Sequence, residues 1–219
     1  MGIEINLLKN YPKTIRKLFF RNKNKNKKVI NLASKFGKEY FDGSRLNGYG
    51  GYYYNPRYWK KVVKDFKRFY KLKTTSKVLD IGCAKGFMLY DFKKLIPKSY
   101  LRGIDISSYA INNAKPEIKK FVKIGNAKKL PFQDSFFDLV ISINTLHNLK
   151  KKDCITALSE INRVTKKNAF ITLDAYKNNR QKERMKMWNL QAKSIFHVNK
   201  WKEIFNLAGY KGDYYWFIP

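Results

Sequence analysis

Small residues and an aspartate follow an apolar segment at 78-VLDIGCAKGF-87. The apolar run predicts a strand that carries Asp80 near its carboxyl end, and Gly82 and Gly86 would let the following turn approach a ligand closely. The turn differs from the dinucleotide-binding pattern G-x-G-x-x-G, because its two glycines stand four residues apart with Ala84 between them. It also lacks the G-K-[ST] of a P-loop. The spacing indicates another kind of ligand site at a strand end.

Two later segments place polar residues in similar positions. Asp105 ends the apolar part of 103-GIDIS-107, 23 residues beyond Gly82, and a carboxylate there can accept hydrogen bonds from both hydroxyls of a ribose. Farther on, 125-GNAKKLPFQDSFFDLVISINTLHNL-149 reads as a turn followed by another strand. Several strand ends are therefore expected to contribute to one ligand site.

Short apolar runs alternate with helical patterns from Lys77 onward, which is typical of βαβ units. The runs predict strands near 77–81, 100–106, 120–124, 137–143, 168–174 and 213–217, and helices near 87–95, 107–114, 153–165 and 198–208. Another helix should begin after Asn55, a favourable N-cap, with Pro56 at its first position. We predict an α/β fold with a doubly wound, mainly parallel, Rossmann-like sheet over residues 76–219, preceded by a separate segment over residues 1–75.

These three motifs, in this order and spacing over residues 78–149, resemble those of class I S-adenosylmethionine-dependent methyltransferases. The family's first motif, D-x-G-x-G-x-G, is matched with one substitution, and the family often has aspartate where Asn126 stands. The resemblance implies the class I methyltransferase fold, S-adenosylmethionine as cofactor and no metal. It implies cofactor contacts at Asp80, Gly82, Ala84, Gly86, Phe87, Asp105, Ile106, Asn126, Ala127 and Asn144.

The C-terminal segment 201-WKEIFNLAGYKGDYYWFIP-219 departs from that family plan. The family's sheet usually ends with a sixth strand and an antiparallel seventh strand inserted beside the fifth, whereas this segment supplies one helix and one strand. We therefore predict a shortened sheet. Its edge should be protected by its own lysines, by the N-terminal segment or by a second subunit in an oligomer.

The resemblance places the methyl acceptor beyond the fourth and fifth strands. His147 and Asp174 are the candidate catalytic residues, since imidazole titrates near neutral pH and a base is needed if the acceptor must lose a proton. Tyr176 and His197 are candidate substrate contacts. The alternatives are that His147 only caps or packs, and that Asp174 is an ordinary strand-end residue.

The aromatic segment 47-NGYGGYYYNPRYW-59 stands where family members fold an N-terminal lid over the cofactor. Its glycines would let residues 49–54 bend, and tyrosine rings can attract a sulfonium. We predict that Tyr54 contacts the cofactor, and that Tyr52, Tyr53 and Arg57 contact the acceptor. Trp59 is expected in the core.

Charge and composition leave several partners open. The chain has 219 residues with 47 Lys and Arg against 16 Asp and Glu, a net charge of +31. The apolar residues of the N-terminus predict short amphipathic helices interrupted at Pro12, and 21-RNKNKNKK-28 predicts a loop. This basic end can contact nucleic acid or, peripherally, an anionic membrane.

No apolar run of about 18 residues exists, so a cytoplasmic location is expected. Cys83 and Cys154 are expected to be free thiols.

The functional hypothesis is transfer of a methyl group to a small acceptor that is anionic or linked to a sugar or nucleotide. The segments 40-YFDGSR-45 and 49–59 and the D-Y-Y-W-F tail resemble bacterial enzymes of surface-polysaccharide biosynthesis. One alternative is an RNA methyltransferase, favoured by the charge and the tyrosines but lacking an N/D-P-P-[YF] tetrapeptide at 144. A second alternative is a non-catalytic protein that binds S-adenosylmethionine.

Overall fold

A computed structural model of the chain describes residues 2–13, 16–48 and 52–219. Its strands pair in parallel in the order β3-β2-β1-β4-β5, with β7 and the short β6 both paired to β5. They are β1 (Lys77–Ile81), β2 (Tyr100–Asp105), β3 (Val122–Ile124), β4 (Phe137–Ile143), β5 (Thr165–Tyr176), β6 (Phe196–His197) and β7 (Asp213–Phe217). The predicted doubly wound parallel sheet is confirmed, and only the two-residue β6 was not predicted.

Helices cover both faces of this sheet. They are α1 (Leu18–Asn24), α2 (Lys27–Ser34), α3 (Lys38–Phe41), α4 (Pro56–Phe69), α5 (Phe87–Leu95), α6 (Ser108–Asn112), α7 (Pro116–Lys119), α8 (Lys151–Val164), α9 (Asn179–Trp188) and α10 (Val198–Leu207), with a 3-10 turn at Leu146–Asn148. None of the described helices is long and apolar enough to cross a membrane.

Two apolar clusters hold these layers together. Alternate side chains of β1 point to opposite faces, so that Val78 packs with α4 and α5 while Leu79 packs with α8 and α10. Helix α4 begins as predicted, since the Asn55 side chain accepts a hydrogen bond from the amide of Arg57 at 3.0 Å. Its apolar stripe, which includes Trp59, is buried against the sheet.

The outer edge of β7 is covered by the N-terminal segment. The amide of Ile5 donates to the carbonyl of Tyr214 at 2.9 Å, and the amide of Tyr214 donates to the carbonyl of Ile3 at 3.0 Å. Of the three predicted ways to protect the shortened sheet, the structure shows this one. A second subunit is therefore not needed to cover this edge.

Two predictions for the N-terminal segment are wrong. Ile5 belongs to an extended stretch beside β7 rather than to a helix, because its backbone groups pair with that strand. The run 21–28 is not a loop, since α1 ends and α2 begins within it, and Asn26 caps α2 by accepting from the amide of Val29 at 3.0 Å. Ile15, an apolar residue of the predicted amphipathic pattern, lies outside the described residues.

Asp213 joins three parts of this edge, and its removal tests the arrangement. Its carboxylate accepts from the Ile3 amide and from the Tyr70 hydroxyl, both at 2.9 Å. Asp213→Ala should lower the free energy of unfolding by about 1–3 kcal/mol, because both donors lose their acceptor. Tyr70→Phe, which removes one bond, should cost about 1 kcal/mol. Urea denaturation measures both values, and an Asp213→Ala protein as stable as the wild type would contradict the assignment.

Candidate functional site

A cavity of about 930 Å³ lies at the carboxyl ends of β1, β2, β4 and β5. One wall is formed by the turns that follow these strands, and the opposite wall by the N-terminal segment and by residues 188–193. This volume is within the usual range for small-molecule sites. The strand-end residues that line it include Asp80, Gly82, Cys83, Ala84, Asp105, Ile106, Asn126, Ala127, Asn144, His147, Thr172 and Asp174.

The turn after β1 follows a tight, partly left-handed path. Gly82, Ala84 and Gly86 have φ values of 78°, 49° and 73°, a region in which glycine is favoured and alanine is uncommon. A Cβ atom added to Gly82 would lie 2.0 Å from Oγ1 of Thr145. Gly82 therefore permits close packing of this turn against the turn after β4, and Gly86 starts α5.

Asp105 connects this turn to the end of β2. Its Oδ2 accepts a hydrogen bond from the Ala84 amide and its Oδ1 accepts one from the Ser107 amide, both at 2.8 Å. Burial raises the pKa of Asp105, and these backbone hydrogen bonds act in the opposite direction. Each carboxylate oxygen can accept a further hydrogen bond, so the pair can still bind two hydroxyl groups.

Asp80 is a second buried acid beside Asp105. Burial, and then the charge of Asp105, raise the pKa of Asp80 from 3.8 to about 8. Neither carboxyl makes an ion pair with any of the described residues. This end of the cavity is therefore suited to hydroxyl groups and to a cationic group.

The other predicted cofactor residues differ in how they meet the cavity. Ile106 is 60% exposed where it lines the cavity, and such an apolar side chain can pack against a flat ring. Asn126 closes its own turn, because its Oδ1 accepts from the Lys128 amide at 3.0 Å. Asn144 has a φ of 50°, and its Oδ1 accepts from the Thr172 hydroxyl at 2.7 Å. Phe87 and Ala127 also line the cavity.

Comparison with known proteins agrees with this geometry. Residues 72–209 match a family described as "Methyltransferase domain", and this range contains the cavity residues at the ends of β1, β2, β4 and β5. The chain belongs to the class I S-adenosylmethionine-dependent methyltransferases. The predicted family and fold are thereby confirmed.

Curated relatives of this methyltransferase match over part of their length. An uncharacterized methyltransferase of Schizosaccharomyces pombe is 30% identical over 112 residues, which cover 46% of this chain and 40% of that protein. A demethylmenaquinone methyltransferase of Staphylococcus aureus is 28% identical over 155 residues, which cover 68% of this chain and 61% of that protein. The matched region thus spans 40–61% of the relatives' own length.

A solved structure supports the fold. The phosphoethanolamine N-methyltransferase 2 of Haemonchus contortus, in complex with phosphomonomethylethanolamine and S-adenosylhomocysteine, superposes with a TM-score of 0.58 at 20% identity. The superposition covers 81% of this chain and 44% of that chain. At 20% identity, this structural similarity shows a shared fold only.

The residues of this methyltransferase fit the family's cofactor. The Asp105 carboxylate has free acceptor capacity for ribose hydroxyls, and Ile106 offers an apolar surface for the adenine. The Asp105 carboxylate favours the cationic groups of S-adenosylmethionine, whereas Asp80 keeps its proton at neutral pH. No cluster of metal-ligating side chains occurs within residues 2–13, 16–48 and 52–219.

His147 and Asp174 are brought together at the other end of the cavity. The backbone amide of Asp174 donates to Nδ1 of His147 at 3.1 Å, and Oδ1 of Asp174 lies 3.4 Å from the same nitrogen. Burial lowers the pKa of His147 and raises that of Asp174. Because Nδ1 accepts a hydrogen bond, the neutral imidazole carries its proton on Nε2. Asp174 is consequently the better candidate to accept a proton.

The predicted lid is attached to the glycine-rich turn through Lys85, which was not predicted as a site residue. Its buried ammonium group donates to Oδ2 of Asp42 at 2.6 Å and to the carbonyl of Tyr52 at 2.9 Å. Tyr109 also donates to Asp42, at 2.7 Å. Tyr52, Tyr53 and Arg57 line the cavity, and their contact with an acceptor stays a prediction. Residues 49–51 of the predicted lid lie outside the described residues.

Four predicted site residues lie away from the cavity, and this corrects their assignment. Tyr54 packs against α5 instead, where its hydroxyl donates to Asp91 at 2.6 Å. Tyr176 packs against His197 with 5.7 Å between ring centroids. His197 caps α10 by accepting from the Asn199 amide at 3.2 Å. Gly86 does not line the cavity either and acts through the turn.

The sequence also gave no signal for the arginines of the N-terminal segment. Arg16, Arg21 and Arg45 line the same cavity as Asp174, although they are far from the motifs in the chain. Lys85 stands among small residues in the turn after β1, and this position was a signal in the sequence. A lysine that is buried in such a turn requires a carboxylate partner. No comparable pattern marks the arginines.

The raised pKa of Asp80 leads to a pH-dependent difference in stability. Above about pH 4 the unfolded chain loses the Asp80 proton while the folded protein keeps it until about pH 8, so wild-type stability falls as pH rises through this window. Asp80→Asn removes that loss. Its stability relative to wild type should increase by up to about 1.4 kcal/mol per pH unit between pH 5 and pH 7.

Urea denaturation of both proteins at several pH values measures this difference. The matched control is Asp134→Asn, whose carboxylate is 76% exposed and whose stability difference from wild type should stay nearly constant. An equally constant difference for Asp80→Asn would show that Asp80 ionises normally.

Proposed function

We propose that the protein transfers a methyl group from S-adenosylmethionine to a small acceptor that is anionic or linked to a sugar or nucleotide. The observation that carries this proposal is one continuous cavity that runs from Asp80 and Asp105 to Asp174. The N-terminal segment walls the acceptor end of this cavity. A small molecule fits a cavity of about 930 Å³ better than a polymer does.

The relatives are consistent with a small acceptor. The Staphylococcus aureus relative is named for demethylmenaquinone, and the Haemonchus contortus structure contains phosphomonomethylethanolamine. A surface-polysaccharide precursor remains our proposal for the acceptor of this chain, and a cytoplasmic location is part of the same proposal.

The chain's own residues would position the acceptor and remove its proton. When bound, S-adenosylmethionine supplies an electrophilic methyl group on a positively charged sulfur, and transfer then depends chiefly on alignment. Asp174 lines the acceptor end and can accept a proton, because burial raises its pKa. His147 holds the Asp174 backbone through its Nδ1 atom and acts as a positioning residue.

The alternatives receive less support. Against an RNA acceptor, the cavity is walled by the N-terminal segment, and residues 144–147 read N-T-L-H. Against a non-catalytic role, Asp174 lines the same cavity as Asp105. Peripheral membrane contact has one supporting feature, since Phe19 is 80% exposed on the basic helix α1. Membrane contact would be compatible with methyl transfer.

Asp105→Ala tests the cofactor assignment. The variant should bind S-adenosylhomocysteine at least about tenfold more weakly, because charge-assisted hydrogen bonds to the ribose contribute roughly 1.5–3 kcal/mol. Gly82→Val should also weaken binding, since its side chain would collide with Thr145. Isothermal titration calorimetry measures the affinities, and Asp134→Ala is the surface control. Undiminished binding in both variants would refute the assignment.

Tyr53 and Tyr54 provide a matched test of the lid. Tyr53→Ala should weaken S-adenosylhomocysteine binding or turnover several-fold and change stability by less than about 0.5 kcal/mol, because the side chain is 76% exposed beside the cavity. Tyr54→Ala should do the opposite and cost about 1–3 kcal/mol of stability, because Asp91 loses a hydrogen bond. Calorimetry and urea denaturation measure the two effects. If Tyr53→Ala lowered stability and left binding and turnover unchanged, the role of Tyr53 would be structural.

A further inference from the structure

Two arginines of the N-terminal segment enter the cavity without an acidic partner. Arg16 and Arg21 both line it and are partly buried. Neither guanidinium forms an ion pair with a carboxylate of the described residues. Nε of Arg21 is buried and has no hydrogen-bond partner. Polar groups in such positions are usually satisfied, so these donors are available to a ligand.

Both guanidinium groups are held on the same aromatic surface. The Arg16 guanidinium carbon lies 4.5 Å from the centre of the Phe217 ring and 5.4 Å from that of Trp188. The corresponding carbon of Arg21 lies 4.4 Å from the centre of the Trp188 ring. Stacking on aromatic rings orients a guanidinium and leaves its N–H groups free to bind an anion. The two side chains are therefore preorganised around Trp188.

The positive charge at this position is not neutralised by an ion pair with a carboxylate of the described residues. Burial lowers the pKa of both Arg16 and Arg21, although a guanidinium remains protonated at neutral pH. The positive charge of Arg45 acts on Arg21 in the same direction, and Nη1 of Arg21 donates to the Arg45 carbonyl at 3.3 Å. Partly buried like charges are costly unless an anion binds between them.

Two other cations of the cavity are less suitable for this task. Lys85 is already paired with Asp42, and Arg57 is exposed at the outer side beside Tyr58. Arg16 is also close enough to Asp174 for the negative charge of Asp174 to raise the Arg16 pKa. An anion held by the arginines would consequently lie near the candidate base.

We propose that Arg16 and Arg21 bind a phosphoryl group of the acceptor and direct the rest of that molecule toward Asp174. This inference rests on the proposed methyl transfer, because it assigns the acceptor to the same cavity. Two guanidinium groups can form several charge-assisted hydrogen bonds with the three terminal oxygens of a phosphate. A dianionic phosphoryl group also balances two positive charges, whereas a single carboxylate balances one.

Inorganic phosphate is the probe that tests this site. Isothermal titration is performed on the full chain saturated with S-adenosylhomocysteine, at about 150 mM salt so that diffuse attraction to surface lysines is screened. The wild type should bind phosphate at one saturable site. Arg16→Gln and Arg21→Gln should each weaken binding by about tenfold or more, the effect expected for losing a charge-assisted hydrogen bond.

Arg180→Gln is the matched control, because it removes the same charge from an exposed position outside this cavity. It should bind phosphate as the wild type does. If Arg21→Gln fails to fold, Arg16→Gln and Arg21→Lys still decide the question, since lysine keeps the charge but loses the planar fork and should bind phosphate several-fold more weakly.

Three results would overturn the proposal. These are no saturable phosphate binding by the wild type, equal phosphate affinity in wild type and both glutamine variants, or acetate binding as tightly as phosphate at the same arginines. The last result would assign the site to a carboxylate. Binding of S-adenosylhomocysteine should be unchanged in the arginine variants. Its absence in the wild type would instead refute the proposed function, and the phosphate titration would then be performed on the chain without S-adenosylhomocysteine.

Discussion

Parallel pairing of the strands is the constraint on which the site depends. Each of β1, β2, β4 and β5 runs in the same direction, so residues that follow these strands are delivered to one edge of the sheet. Asp80, Asp105, Asn144 and Asp174 are far apart in the chain and line one cavity for this reason. The Asp105 carboxylate then joins two of the turns, because it accepts hydrogen bonds from the amides of Ala84 and Ser107.

The N-terminal segment has both a structural and a functional position. Residues 2–5 extend the sheet beyond β7, where they pair with its outer edge. Farther along the same segment, Asp42 binds the buried ammonium group of Lys85 on the glycine-rich turn. Arg16 and Arg21 lie between these two attachments and line the acceptor end of the cavity. Attachment at both ends explains how a basic segment can be held against a basic domain.

The cavity is electrostatically divided. Asp80 and Asp105 are buried acids at the cofactor end, whereas the facing N-terminal wall contributes the guanidinium groups of Arg16 and Arg21. The acidic end favours a cation and the basic end favours an anion. Asp174 lies beside His147 at the acceptor end of the same cavity. A donor with a cationic sulfur and an acceptor with an anionic group would thus be bound in opposite halves.

The sequence by itself determined the family and the parallel sheet, and it predicted most of the residues at the cofactor end. Apolar runs and glycines are local signals, so the turn after β1 and Asp105 could be found from spacing alone. Only the tertiary structure decided that Tyr54 packs on α5, that His197 caps α10, and that Lys85 binds Asp42. It also decided which arginines enter the cavity. Such contacts join residues that are distant in the chain, and no local pattern of residue types encodes which of many lysines and arginines will face the same space.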